Sequence, residues 1–417
     1  MEANDHMTSE RFQTLAEVTG KIWPDGLDNY ISDLENDSEE LLPRERLQYV
    51  MDLNHVPYDK QEKLLDALDQ ANMVPELVEM AHIMAKDAVR ALNRNTAHEF
   101  TQPKPACLEG FARDAFGFLL SQVMVLEGRK QLRARGIPEK YDLDIPERMT
   151  RRAMGKYVAT GDINFDDFPW DVNFFCCDIF LLDRFYFIPY MWQDAPEAWR
   201  NTETGEVMAL WKGGVRVRQD GQLDGVNHVT DPDAFVTVYE ETEESVRGNY
   251  TDPEGYIRDN VLTLDKKKWK KVLKEGDYLL ALHIPGGEGY TPERVQRSCR
   301  MALEFFDRYY PEYNYLGFWS ESWLYDPGLA ELLGADRNIS RVQRQFYCYP
   351  TMEGNEMSRA EVLHDANADY HDIKPKTTLE KKMFAAWDRG ELFHTTGMFL
   401  LREEVEKLGN DPYRKVR

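Results

Sequence analysis

The sequence predicts an α+β protein, with an all-helical domain over residues 1–159 and a mixed-sheet domain flanked by helices over 160–417. Apolar residues recur at spacings of three and four through the first third of the chain, the signature of helices that bury one face. Beyond Gly161 short aromatic and β-branched runs take over, and toward the C-terminus strand-like and helix-like segments alternate. A chain of 417 residues is also long for a single core.

In the N-terminal part Phe12, Leu15, Val18 and Ile22 share a face, Ile31 and Leu34 follow, and then Leu47, Val50, Met51 and Leu53. Gln61–Leu92 is a long helical pattern through Leu64, Leu65 and Leu68, broken at Met73–Pro75, and resumed by Leu77, Met80, Ile83, Met84 and Val89. Leu108–Arg135 is another helix, ended by Gly136–Pro138, and Pro146–Val158 a shorter one.

In the second part strands are predicted at Asp183–Met191, Val207–Val217 and Ala234–Glu240, with a loop at Gly248–Tyr256 and a basic helix at Lys266–Lys274. The run Tyr278–Leu282 has strand length. A helix follows it through Tyr310, with Val295, Cys299, Ala302, Phe306 and Tyr309 on the face that packs on a sheet. Tyr315–Ser320 reads as a strand, Asp326–Leu333 as a helix and Val342–Tyr349 as a strand. Thr377–Arg389 reads as a helix and Leu392–Leu401 as the last strand.

Lys and Arg number 51 against 74 Asp and Glu, a net charge of −23, which repels nucleic acid and anionic membrane and excludes both as expected partners. An anionic cofactor remains compatible, because local amides outweigh a global field. No apolar run has membrane-spanning length and the first residues carry no signal-peptide pattern. The cysteines, Cys107, Cys176, Cys177, Cys299 and Cys348, are odd in number and include no CxxC, which points to reduced thiols in a cytoplasmic protein and to no metal site. His364, Asp365 and His371 have only a faint metal-like spacing.

Two stretches could carry chemistry. The first is Asp277–Thr291, DYLLALHIPGGEGYT: a strand ending on His283, a turn holding Gly286, Gly287, Glu288 and Gly289, and a helix start. Thr291 suits the N-cap, Pro292 the first helical position, and Glu293 the positive end of the dipole. Such a turn offers amides to an anion. A purely structural turn explains the glycines equally well. The second stretch is Trp319–Pro327, WSESWLYDP, where Glu321, Ser322, Tyr325 and Asp326 follow a strand. Two strand ends side by side are where open sheets bind ligands. His283 and Glu321 are the proton-transfer candidates, while Asp326 before Pro327 reads first as a helix cap.

At these stretches the chain resembles the bacterial two-domain GNAT-like acyltransferases, which join a helical N-terminal domain to a GNAT-like C-terminal domain. The resemblance rests on LLALHIPGGEGYTPERVQRSCRMALEFF, FWSESWLYDPGLAELL and NISRVQRQF, in the family's order and spacing. It implies a GNAT-like mixed sheet whose fourth strand, Tyr278–His283, and fifth, Tyr315–Ser320, splay apart around acyl-CoA. The pyrophosphate would then lie on Ile284, Gly286, Gly287, Glu288, Gly289, Tyr290 and Thr291. Ile284 stands where the superfamily usually has Arg or Gln, and Glu288 places a negative charge in the loop.

The implied activity is N-acyl transfer from acetyl-CoA or another acyl-CoA to an amine of a small-molecule acceptor. His283 or Glu321 would be the base, and Tyr325 or Ser322 the donor to the leaving thiolate. A GNAT scaffold that has lost CoA binding and serves as a ligand- or partner-binding module is the alternative. A hydrolase using Glu321 with Asp326 or His283 is a third reading.

Overall fold

The computed structural model describes residues 2–24, 27, 39–90, 100–141, 145–365 and 367–414; the expected positions Ile31, Leu34 and Leu92 lie outside them. The chain divides into two compact units, residues 1–181 and 182–417.

The first unit is helical: α1 (Glu2–Thr19), α2 (Arg44–Leu53), α3 (Tyr58–Asn72), α4 (Pro75–Arg90), α5 (Gly110–Ala134), α6 (Ile145–Thr160) and α7 (Phe168–Phe175). In α5 the residues from Ala115 to Val125 are buried on every side, so this helix is the axis on which α3, α4 and α7 pack. The buried carboxylate of Glu147 is held by Arg46 at 3.1 Å and Arg129 at 3.2 Å, which compensates the cost of taking its charge from water.

A short strand, β1 (Phe180–Leu182), lies where the chain passes from one unit to the other. The second unit then runs β2 (Phe185–Met191), β3 (Glu197–Asn201), β4 (Val207–Leu210), β5 (Arg216–Val217), β6 (Phe235–Val236), β7 (Tyr239–Glu241), β8 (Ser245–Thr251), β9 (Ile257–Asp265), β10 (Trp269–Leu273) and β11 (Tyr278–His283). It continues through α8 (Pro292–Tyr309), β12 (Tyr315–Ser322), α9 (Pro327–Leu333), α10 (Asn338–Gln343), β13 (Tyr347–Pro350), α11 (Glu356–Leu363), α12 (Thr378–Trp387) and β14 (Thr396–Leu401).

The main sheet has the order β2-β11-β12-β14-β13. Its β11–β12 pair is parallel, and β2, β14 and β13 run antiparallel to their partners. Between β2 and β11 the chain builds a second, antiparallel sheet, β10-β3-β4-β8-β7 with β9 on β8, around Trp199, Leu210, Val246 and Leu264. This is an α+β unit with a mixed sheet, and α8 packs on β2 through a face that buries Val295, Cys299, Ala302 and Phe306.

Several local expectations fail. The single strands expected at Val207–Val217 and Ala234–Glu240 are each divided between two sheets, as β4 and β5 and as β6 and β7. Lys266–Lys274 is no helix: Trp269–Leu273 is strand β10, paired with β3. The lysines alternate between solvent and the sheet, where Lys271 meets Glu197 at 2.7 Å and Glu241 at 2.8 Å and lies over the Trp199 ring. Gly248–Tyr256 is a loop only in its second part: Gly248–Thr251 complete strand β8, where β7 and β9 close on it from both sides, and residues 252–256 form the turn into β9. Val342–Tyr349 is split: α10 ends at Gln343, and β13 begins at Tyr347. Among the described residues no helix is long and apolar enough to cross a membrane.

Candidate functional site

The site is built around a divergence of strands. β11 and β12 are paired from Tyr278–Tyr315 to Ala281–Trp319, with no pairing beyond. β11 nevertheless runs on to His283 and β12 to Ser322, so a gap opens between their C-terminal ends. Ligands bind at such ends in open sheets.

Alternation along β12 sends Trp319 and Glu321 to one face and Phe318, Ser320 and Ser322 to the other. On the first face Trp319 stacks on Tyr190 with ring centroids 3.8 Å apart, and its indole N–H donates to the Tyr349 hydroxyl at 2.9 Å. Glu321 follows along the same face. Burial, with the nearby Glu353 carboxylate adding to it, raises its pKa to about 7. His283, opposite Tyr186 on β11, is half-buried, and burial lowers its pKa to about 4, so the imidazole is neutral at physiological pH. The loop after β13 that carries Glu353 is pinned by the Asn355 amide, which donates to Asn227 Oδ1 at 2.9 Å.

The other face is the one α8 covers. The buried hydroxyl of Tyr325 lies beside those of Ser320 and Tyr290, and burial raises both phenols well above the ordinary tyrosine range. Neither phenolic oxygen makes a hydrogen bond of good geometry within the protein. Buried hydroxyls without partners are uncommon and leave donors for a ligand group. Ser322, on this face, accepts from the Leu324 amide at 3.2 Å and caps the short 3-10 turn Trp323–Tyr325. Asp326 caps α9 by accepting from the Leu329 amide at 3.2 Å, and its second oxygen accepts from the His394 amide at 2.7 Å.

The glycine loop closes the gap from the end of β11. Gly287 and Gly289 adopt positive φ, 108° and 91°, conformations that favour glycine. Among the described residues no group accepts from the amides of Gly286, Gly287, Glu288, Gly289 or Tyr290, whereas the Thr291 amide donates to the Gly289 carbonyl at 3.1 Å. Thr291 caps α8 through Arg294 N, with Pro292 in the first turn. Ile284 and Pro285 are half-buried and the Glu288 side chain is exposed.

The structure therefore gathers His283, Ile284, Gly286–Thr291, Glu321 and Tyr325 at one gap, with the carboxylate and the phenol on opposite faces, and occupies Ser322 and Asp326 in capping. Sequence reasoning missed Tyr190, Tyr349 and Gly397, which frame Glu321, and Arg184, which touches the loop. The two-residue spacing of Trp319 and Glu321 was the available signal for the aromatic face. Arg184 had none, being far from the loop in the chain. Among the described residues no group of three or more His, Cys, Asp or Glu is placed to hold a metal.

Residues 207–399 match the model of the GNAT-like C-terminal domain family. This segment is a GNAT-like domain. The match begins at β4 and takes in the inserted sheet apart from β3, together with the diverging strands. Solved structures share the architecture over most of the chain. An acyltransferase mutant in complex with octanoyl-CoA is 16% identical with a TM-score of 0.54, covering 93% of this chain and 98% of that one. An acyltransferase in complex with decanoyl-CoA is 16% identical with a TM-score of 0.55, covering 90% and 93%. An acyltransferase in complex with decanoyl-CoA and teicoplanin is 17% identical with a TM-score of 0.52, covering 90% and 94%. The GNAT-like domain thus follows its helical unit in an order these structures share. No curated protein sequence matches the chain.

Proposed function

We propose that the GNAT-like domain transfers an acyl group from acyl-CoA to an amine of a small-molecule acceptor, with Glu321 as general base. The observation that carries this reading is the gap beyond Ala281 and Trp319, with a carboxyl group of pKa about 7 on one face and unpartnered loop amides at its end. Those amides and the start of α8 suit a pyrophosphate. The neighbouring hydroxyls of Tyr290, Tyr325 and Ser320, whose mutual hydrogen bonds lack good geometry, suit polar groups near the thioester.

The chemistry follows from the residues. The Glu321 carboxylate removes one proton from the acceptor ammonium. The freed amine forms the new C–N bond at the thioester carbonyl, whose oxygen takes the charge. Collapse breaks the C–S bond, and the second proton lost from nitrogen ends on sulfur, with Tyr325 as hydrogen-bond donor to the departing thiolate. His283, with a pKa near 4, is too weak a base for this at neutral pH and serves as a neutral donor. Trp319 and Tyr190 offer π faces to a cationic or aromatic acceptor beside Glu321.

Octanoyl- and decanoyl-CoA in the similar structures support a chain longer than acetyl, and teicoplanin in one of them supports a small-molecule rather than a protein acceptor. Calorimetry with octanoyl-CoA and acetyl-CoA, followed by amine-dependent thiol release, tests the reading. Absence of binding at millimolar ligand removes it, and binding without release in a broad amine panel leaves a binding module instead.

A further inference from the structure

We infer that Arg184 is the positioning residue of the glycine loop: it holds two successive loop carbonyls inward so that the amides face the pyrophosphate of a CoA thioester. This rests on the acyl-CoA reading of the gap and assigns the loop's preorganisation to a residue outside it.

Arg184 sits in the turn before β2, after Asp183 with φ of 61°. Its own amide is fixed by Ser298 Oγ of α8 at 3.1 Å. Its side chain is buried under the loop, where Nε donates to the Glu288 carbonyl at 2.9 Å and Nη2 to the Gly287 carbonyl at 3.0 Å. One planar fork thus grips two consecutive peptides, which a lysine ammonium lacks the shape to do. In a trans peptide the carbonyl and the next N–H point opposite ways. Holding the Gly287 carbonyl inward turns the Glu288 amide outward, and holding the Glu288 carbonyl inward turns the Gly289 amide outward. Both amides are among those without an acceptor.

The charge around the loop supports the same assignment. Asp183 is engaged by Arg294 at 2.8 Å and Arg297 at 3.0 Å, and the Arg184 guanidinium, lying over the Phe185 ring, directs its hydrogen bonds to the two loop carbonyls. The Arg294 guanidinium lies 3.7 Å from where a Cβ on Gly289 would sit. Two guanidinium groups, Arg294 and Arg297, face the Asp183 carboxylate, and Arg184 adds a third positive charge beside a loop whose own carboxylate, Glu288, is turned to solvent. Ile284, which brings neither charge nor donor to the loop, is compensated from another part of the chain.

The test compares octanoyl-CoA with octanoyl-pantetheine, which keeps the thioester but lacks the pyrophosphate and nucleotide. Full-length wild-type protein, Arg184→Met and Arg184→Lys are titrated by calorimetry. The expected result is an Arg184→Met protein that loses about 10- to 100-fold in octanoyl-CoA affinity, the range for hydrogen bonds to a charged group, and at most about threefold for octanoyl-pantetheine. Arg184→Lys keeps the charge without the fork and recovers less than half of the lost binding free energy; should the Met variant not fold, Arg184→Lys is compared with wild type directly, and an octanoyl-CoA affinity equal to wild type overturns the inference. Unchanged octanoyl-CoA affinity, equal losses for both ligands, or full rescue by lysine overturns the inference. Wild-type protein that binds neither ligand, or both equally, overturns the acyl-CoA reading itself.

Discussion

Glu321 lies directly opposite Gly397 across the β12–β14 pair, and Gly397 is opposite Tyr349 across β14–β13. The three share a face, and the Tyr349 ring occupies the space above Gly397: a Cβ there would stand 2.3 Å from Tyr349 Cζ. The absent side chain lets the ring lie flat, receive the Trp319 N–H and close one side of the space beside Glu321.

Gly397→Ala forces the Tyr349 ring away and breaks its bond with Trp319. The expected cost is about 1–3 kcal/mol of stability, the usual range for overpacking a core. Urea unfolding of the variant measures it, and a double variant with Tyr349→Leu recovers part of the loss. An alanine tolerated without loss contradicts the packing described.

The pH dependence of turnover follows from Glu321. Only its carboxylate accepts a proton, so kcat/KM rises with pH and levels off above about 7, and Glu321→Gln removes this limb and most activity. The folded-state value lies above the ordinary 4.5, so the folded protein binds the extra proton between these values and stability falls as pH rises through that window. Glu321→Gln therefore gains stability relative to wild type above neutrality, by about 1–2 kcal/mol after discounting for partial solvent exposure, and nothing near pH 4. Thermal melts across the pH range read the difference.

Tyr325→Phe separates catalysis from folding. Its hydroxyl is buried without a good partner, so removing it leaves stability unchanged or slightly higher. If Tyr325 donates to the thiolate, kcat falls by about tenfold or more while acyl-CoA affinity holds. Paired melts and steady-state kinetics decide, and a destabilised variant with normal kcat reassigns the residue to the core.

Substitution at Gly287 acts on backbone geometry. At φ of 108° alanine is strained, by about 1–2 kcal/mol. The space around it is open, so the loop can yield without disturbing the core. Gly287→Ala is expected to weaken CoA binding about tenfold with little change in melting temperature, measured by calorimetry beside a thermal melt.

Local signals were legible where a single residue type determines the backbone. Thr291 and Pro292 fix the start of α8, and Asp326 with Pro327 that of α9, in the sequence as in the structure. The face of α8 and the gap-lining strands β11 and β12 were legible from apolar periodicity. The inserted sheet was not. In Trp269–Leu273 the lysine run carries good helix formers, and it is a strand through its backbone ladder with Ala198–Asn201 of β3, to which the Lys271 ion pairs with Glu197 and Glu241 add. Arg184 was hidden for the same reason: its partners, the carbonyls of Gly287 and Glu288, are backbone atoms distant in the chain. Glu321 and His283 were readable from the strands that carry them; the arginines around the glycine loop depend on contacts a linear reading does not contain.

The place of the inserted sheet bears on how the protein folds. Trp192 and Asp277 meet at its base, with Trp192 N donating to the Asp277 carbonyl at 2.8 Å and Gly276 N to the Trp192 carbonyl at 2.9 Å. Pairing β2 with β11 before the intervening segment is compact would close a long flexible loop, a large entropic cost for few contacts. The insertion, whose strands pair mostly with near neighbours, is the cheaper nucleus, and its collapse brings β2 beside β11. On a growing chain β12 and β14 emerge later still. On that order the gap beside Glu321 is expected among the last features to form, so that the N-terminal helices would be native before the site is assembled.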